Sequence, residues 1–96
     1  MVPKKYKTCA ISLISKRLPT AKIYLFGSRA KTRHPERSDI DIAVDTGHEV
    51  SGRIMGDLRD DFCASNIPFF VDVVDVHSLS NEMKNEIMSY AVPWKK

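Results

Sequence analysis

The sequence predicts a small α/β domain of the α+β type, in which a mixed three-stranded sheet is flanked by helices. Three short runs of strand-forming residues lie at 21–26, 39–44 and 69–76. Apolar side chains at three- and four-residue spacing predict helices before the first strand, between the second and third, and after the third. The first connection is too short for a parallel crossover, so strands one and two should be antiparallel. The long helical connection to the third strand favours a parallel pair.

Length and composition predict a single globular domain without a membrane span or signal peptide. The 96 residues are enough for one domain with a modest core. The sequence has no apolar run of about 18 residues, so we expect no membrane span. The N-terminal residues also lack the apolar block of a signal peptide. Cys9 and Cys63 stand far apart and predict buried free thiols in a reducing cytoplasm. The net charge of +3 fits anionic small molecules or nucleic acid without choosing between them.

Three helices are predicted from apolar spacing and from residues that begin or end helices. The first covers residues 4–18 and ends before a proline. The second covers about 50–64 and carries an apolar stripe at every fourth position, formed by Val50, Ile54, Leu58 and Phe62. The third begins after Ser78 or Ser80, either of which could cap it, and stops at Pro93.

A glycine ends the first strand and begins a candidate anion site. Gly27 permits unusual backbone angles and the close approach of a ligand. Ser28 can start a short helical turn whose hydroxyl and N–H groups hold an anion. Arg29 could add charge stabilisation to bound phosphates. Residues 31–37 then form a polar connector.

Three aspartates form the candidate chemical site. Asp39 and Asp41 lie two residues apart in a strand, so their side chains share one face. Neighbouring carboxylates repel each other unless a cation lies between them. Asp72 interrupts the apolar third strand, and all three carboxylates lie on one face if the two strands are neighbours. Such a donor set suits Mg²⁺, and two ions could assist an in-line phosphoryl displacement.

Other titratable residues receive ordinary structural roles. Asp75 faces away from Asp72 in a regular strand, and we interpret it as a cap for the turn before the last helix. His34, His48 and His77 show no metal-ligand spacing and are expected on the surface or in loops.

Three further functional classes fit the sequence less well. An EF-hand is excluded because valines stand where its glycine and bidentate glutamate are required. A glycosyltransferase with an Asp-x-Asp metal motif needs a far larger domain than 96 residues. Binding to RNA or DNA lacks support, since basic and aromatic residues are not interleaved and the charge is modest.

The combined pattern resembles the nucleotidyltransferases of the DNA polymerase β superfamily, and more narrowly the minimal nucleotidyltransferases of bacteria and archaea. The matching segments are Phe-Gly-Ser-Arg-Ala at 26–30, Ser-Asp-Ile-Asp-Ile-Ala-Val at 38–44 and Phe-Val-Asp-Val-Val-Asp at 70–75. The order of helices and strands also agrees, so we expect a single nucleotidyltransferase domain over residues 1–96. Thr32 departs from the family, which often has glycine there. Because a β-branched residue resists positive φ, the connector could take another path.

The resemblance implies a Mg²⁺-dependent transfer of a nucleoside monophosphate, usually AMP from ATP, onto an acceptor hydroxyl. It implies that two Mg²⁺ ions bind at Asp39, Asp41 and Asp72. It also implies that the triphosphate binds at Gly27 and Ser28. It also implies a HEPN-type helical partner protein. In some such toxin–antitoxin pairs, the nucleotidyltransferase adenylylates a tyrosine of the toxin.

Three functional hypotheses therefore stay open at the level of sequence. The first is an AMP-transferring enzyme that acts on a partner protein. The second is a non-catalytic module that neutralises a partner by contact, and the third is transfer to a small molecule. The sequence identifies neither the acceptor nor the base of the nucleotide. The exposed edges of a small open sheet would allow a homodimer.

Overall fold

The computed structural model of the chain describes residues 2–27, 30 and 39–95. In chain order, the described elements are helix α1 (Lys4–Arg17), strands β1 (Lys22–Phe26) and β2 (Ile40–Asp45), helix α2 (Gly52–Cys63), strand β3 (Val71–Asp75), a 3-10 turn (Val76–Ser78), helix α3 (Asn81–Tyr90) and strand β4 (Val92–Lys95). The predicted order of helices and strands is confirmed over these residues.

Over residues 2–27 and 39–95, the sheet has four strands in the order β3-β2-β1-β4, so the prediction of a three-stranded sheet missed one strand. The antiparallel β1–β2 pair and the parallel β2–β3 pair are confirmed. The missed strand, β4, pairs antiparallel with β1 and includes Pro93, which lies opposite Tyr24. Proline interrupts a strand pattern because it lacks an N–H donor, yet an edge strand tolerates it. For this reason the four-residue strand has little signature in the sequence.

Helices α1 and α2 pack together and bury their apolar sides in one core with the strands. The predicted stripe on α2 is wrong at one position, since Ile54 is 37% exposed and Met55 is buried instead. A strict four-residue spacing advances about 40° beyond a full turn at each step. Met55, Leu58 and Phe62, at spacings of three and four, follow the buried side more closely.

Short polar contacts define where the helices begin. The hydroxyl of Ser80 accepts the N–H of Met83 and caps α3, which decides between the two serines considered for this role. Asp75 is buried and caps the 3-10 turn by accepting the N–H of His77. The interpretation of Asp75 as a cap is therefore confirmed. Its other carboxylate oxygen accepts the N–H of Val50 at 2.7 Å, which connects β3 to the segment before α2.

Helix length and the exposure of the two thiols bear on membrane insertion and redox environment. No helix within residues 2–27 and 39–95 is long and apolar enough to cross a bilayer. Both cysteines are free thiols. Cys9 is half-buried, whereas Cys63 is exposed at the end of α2, so the prediction of two buried thiols is wrong for Cys63.

Candidate active site

Two of the three predicted site carboxylates lie directly side by side. Strands β2 and β3 are parallel neighbours, and Asp41 is the register partner of Asp72. Both side chains are half-buried, while Ile40 and Ile42 alternate with them into the core. Partners in adjacent strands are about 5 Å apart, so these two carboxylates share one small region of the sheet.

The third carboxylate, Asp39, lies close enough to Asp41 for its charge to act on it. Asp39 is exposed, immediately precedes β2, and lies on the face of Asp41 by strand alternation. Burial raises the pKa of Asp41, and the negative charges of Asp72 and then Asp39 raise it further. The charges of Asp72 and Asp39 therefore act on the ionisation of Asp41.

The chemistry of these donors fits Mg²⁺, although their arrangement is open. Carboxylate oxygens are the hard ligands that Mg²⁺ prefers, and its remaining positions are usually filled by water and substrate phosphates. Within the described part of the chain, no three His, Cys, Asp or Glu side chains are grouped closely enough to hold a metal ion. Because neighbouring carboxylates repel one another, a cation and its phosphate ligands would be needed to draw Asp39, Asp41 and Asp72 together.

The backbone at Gly27 packs directly against Asp41. Gly27 has φ of +73°, a left-handed conformation that favours glycine. A Cβ at this position would lie 2.9 Å from Cγ of Asp41 and would overlap its Oδ2. The carbonyl of Gly27 accepts the N–H of Ala30 at 3.2 Å, so Ala30 lies close to the end of β1. The predicted glycine turn therefore adjoins the carboxylates.

Sequence reasoning missed one residue that positions this turn. The N–H of Gly27 donates to the Tyr90 hydroxyl at 3.2 Å, across 63 positions of the chain. Tyr90 is the last residue of α3, and no pattern in the sequence relates it to Gly27. Ser28, Arg29 and the connector with Thr32 lie outside the described residues. Their predicted roles stay predictions.

The family model described as Polymerase beta, Nucleotidyltransferase matches residues 10–92. The chain belongs to this nucleotidyltransferase family. A search of curated proteins found no match.

Solved structures with the same nucleotidyltransferase fold include chains from toxin–antitoxin complexes. One such complex, with AMP-PNP, contains a chain of 26% identity and TM-score 0.77, with coverage of 96% of this chain and 73% of that one. A second is the tri-AMPylated Shewanella oneidensis HEPN toxin with its MNT antitoxin, at 24% identity and TM-score 0.75, covering 95% and 70%. A third is the toxin–antitoxin MntA–HepT, at 24% identity and TM-score 0.75, covering 96% and 71%.

Proposed function

We propose that this chain is a Mg²⁺-dependent nucleotidyltransferase that moves AMP from ATP to a hydroxyl group of a HEPN-type partner toxin and so acts as an antitoxin. The observation that carries the proposal is the site geometry. Asp41 and Asp72 are register partners on one face of the sheet, and the left-handed turn at Gly27 packs against Asp41. A loop that approaches a carboxylate pair this closely can present phosphates to metal ions bound there.

ATP would bind with its triphosphate at the end of β1. Gly27, Ser28 and Arg29 are the proposed contacts, since a small turn leaves N–H groups accessible and a guanidinium pairs well with phosphate oxygens. The complex with AMP-PNP supports this choice of nucleotide, because AMP-PNP is an ATP analogue and that chain is 26% identical to this one.

The carboxylates would hold the metal ions. Asp39, Asp41 and Asp72 would ligate two Mg²⁺ ions, as their oxygen chemistry and their position on one face favour. When bound, the ions would neutralise phosphate charge and lower the pKa of the attacking hydroxyl. In the transfer, the acceptor oxygen forms a bond to the α-phosphorus and the bond from that phosphorus to the bridging oxygen breaks. Pyrophosphate leaves, and the hydroxyl proton passes to solvent or to a carboxylate.

A partner protein would complete the acceptor side. We propose one nucleotidyltransferase domain over residues 1–96, with the acceptor supplied by the partner. The tri-AMPylated toxin in a structure of the same fold supports a HEPN-type protein as the acceptor. Tyrosine is the expected acceptor residue on the family resemblance, and the cytoplasm is the expected compartment.

Labelling in lysate of the native host tests the proposal. Purified protein is added with Mg²⁺ and ATP labelled at the α-phosphate, and mass spectrometry identifies the labelled band and residue. Asp39→Asn/Asp41→Asn should abolish the label. The matched control is Asp57→Asn/Asp60→Asn, which removes the same charge from helix α2. Among the described residues, Asp57 forms an exposed ion pair with Arg17 at 3.7 Å.

Each outcome assigns a function. A labelled protein that requires Asp39 and Asp41 supports AMP transfer to a partner. Label in a small-molecule fraction would overturn the protein acceptor and favour transfer to a metabolite. Equal partner capture by wild type and the Asp39→Asn/Asp41→Asn variant, without label, would favour the contact-only module.

A further inference from the structure

Phe70 presents an exposed aromatic ring beside the candidate active site. Its side chain is 64% exposed, the largest value among the large apolar residues that the structure describes. Phe70 precedes β3, but its carbonyl accepts the N–H of Ile40 at 2.9 Å, so the parallel ladder extends to this residue. Val71 is buried in the core. Strand alternation therefore places Phe70 on the same face as Asp72.

The ring occupies the fourth corner of a rectangle whose other corners are carboxylates. Ile40 pairs with Val71 and Asp41 with Asp72, so the ladder places Asp39 beside Phe70. Corners along a strand are about 6.6 Å apart, and corners across strands about 4.8 Å. A substrate held by the carboxylates would therefore lie within reach of the Phe70 ring.

The order of the strands indicates which reactant, the nucleotide or the acceptor, lies near the Phe70 ring. Among the described strands, β3 has a partner on one side only, and its other side is a free edge. From β1 to this edge, the sheet presents the Gly27 turn, then Asp39 and Asp41, then Asp72 with Phe70. In phosphoryl transfer, the attacking and leaving oxygens lie roughly in line on opposite sides of the phosphorus. If the phosphates bind at Gly27, as in the proposed function, the acceptor must approach from the β3 side.

From this order we infer that Phe70 contacts the acceptor side chain and that the partner reaches the site over the free edge of β3. The inference rests on the proposed function for the position of the triphosphate. At the beginning of β3, Phe70 also lines an apolar pocket of about 190 Å³, the acceptor-side pocket, which extends from this edge toward the core. Its lining residues are Phe62, Cys63, Ile67, Pro68, Phe69, Phe70 and Val71. This pocket can take apolar residues that flank the acceptor in the partner.

The adenine base fits this place less well. The ribose is attached through an equatorial oxygen of the α-phosphate, so the nucleoside extends across the in-line axis. The ring at Phe70 lies at the attacking end of that axis. Tyrosine suits the position, since it carries both a hydroxyl for attack and a ring that can pack edge to face against Phe70.

Substitution of Phe70 tests the inference with the acceptor protein recovered from the lysate experiment. Phe70→Ala should raise the KM for the acceptor about five- to tenfold, as expected for the loss of an aromatic pair, and leave the Kd for ATP unchanged. Phe70→Trp keeps a ring and should retain most activity. Met83→Ala is the matched control, because Met83 is 51% exposed on helix α3 and plays no part in the site.

The outcomes separate this inference from the function on which it rests. An unchanged acceptor KM in Phe70→Ala, with normal wild-type labelling, would overturn the role of Phe70 alone. A higher Kd for ATP in Phe70→Ala would mean that the ring contacts the nucleotide, and this result would also overturn the inference. If wild type labels no protein, both the proposed function and this acceptor contact fail.

Chemical modification gives an independent readout that leaves Phe70 unchanged. Cys63 is exposed and lines the acceptor-side pocket. In a Cys9→Ser background, a bulky maleimide on Cys63 should lower transfer to the acceptor and leave the Kd for ATP unchanged. The Cys9→Ser/Cys63→Ser protein should be insensitive to the reagent. Full transfer by the modified protein would overturn entry of the partner over this edge.

Discussion

Gly27 is the residue at which backbone conformation and site geometry depend on each other. Replacement by alanine should destabilise the protein, since a left-handed conformation costs a non-glycine residue about 1–2 kcal/mol. It should also abolish transfer, because the new Cβ would overlap Oδ2 of Asp41 and displace that carboxylate. The free energy of unfolding and the rate of AMP transfer are the two measurements.

Gly47 provides the matched control for this substitution. It also has positive φ, +89°, but a Cβ there would meet nothing within 4 Å. Gly47→Ala should therefore lower the free energy of unfolding by a similar amount and leave transfer unchanged. If Gly27→Ala and Gly47→Ala kept equal activity, the close approach of Gly27 to Asp41 would have no role in catalysis.

The same residues show how far the sequence predicts the site. The two-residue spacing of Asp39 and Asp41 predicts a shared face, since strand alternation is a local property. The bond from Gly27 N–H to the Tyr90 hydroxyl joins residues 63 positions apart, and no local pattern predicts it. The difference between Ile54 and Met55 depends on the angle at which α2 packs, which spacing alone does not determine.

On strand β3, two aspartates three residues apart should respond in opposite ways. Asp75→Asn should lower the free energy of unfolding by about 2 kcal/mol, because the buried carboxylate accepts the N–H groups of Val50 and His77. It should leave transfer largely intact. Asp72→Asn should abolish transfer without loss of stability, since it removes a charge that repels Asp41. Chemical denaturation and labelling distinguish the two variants.

The opposite results would change which of these two aspartates is assigned to the site. If Asp75→Asn lost transfer while its stability was unchanged, Asp75 would act in the reaction and its interpretation as a cap would be incomplete. If Asp72→Asn lost stability as Asp75→Asn does, Asp72 would serve the fold of β3 and its assignment to the metals would fail.

At the other end of strand β2, Asp45 should give the fold a dependence on acid pH. Burial raises the pKa of Asp45, but the Gly47 N–H, the contact with His77 at 2.7 Å and the charge of Lys22 outweigh it and lower the pKa overall. A lowered pKa stabilises the fold above the unfolded value of about 3.9 and loses this contribution as pH falls through the folded value.

Asp45→Asn isolates that contribution, because the amide oxygen can still accept a hydrogen bond from Gly47. The difference between wild type and variant in the free energy of unfolding should be present at pH 5 and should shrink as pH falls below about 4. Denaturation curves at pH 5 and pH 3 measure it. A difference that stayed the same at both values would mean that ionisation of Asp45 does not stabilise the fold.

At the scale of the whole molecule, connection lengths predict strand directions better than strand number. The short β1–β2 connection and the helical crossover to β3 lead to the observed antiparallel and parallel pairs. Strand β4 could not be predicted from the sequence, because its pairing with β1 is a long-range contact and Pro93 weakens its local strand pattern. Among the strands that the structure describes, β4 and β3 are therefore the two edge strands, and Phe70 lies at the β3 edge.

Because the carboxylate face carries repelling charges, Mg²⁺ and ATP should stabilise the whole fold. A ligand that binds only the folded state raises the free energy of unfolding by about 2.7 kcal/mol at a hundredfold excess over its Kd, which is about 10 °C or more in Tm for a domain of this size. Thermal unfolding should therefore shift upward with Mg²⁺ and ATP together, and less with Mg²⁺ alone, since phosphate oxygens supply some of its ligands.

The double variants separate a specific site from a general ionic effect. Asp39→Asn/Asp41→Asn should lose the shift and, without Mg²⁺, should be at least as stable as wild type because repulsion around Asp41 is relieved. Asp57→Asn/Asp60→Asn should keep the full shift. An equal shift in both variants, or one reproduced by NaCl at the same ionic strength, would place the stabilising ions elsewhere. If the Tm shift disappears in Asp39→Asn/Asp41→Asn and persists in Asp57→Asn/Asp60→Asn, then Mg²⁺ binding at the candidate site stabilises the whole domain.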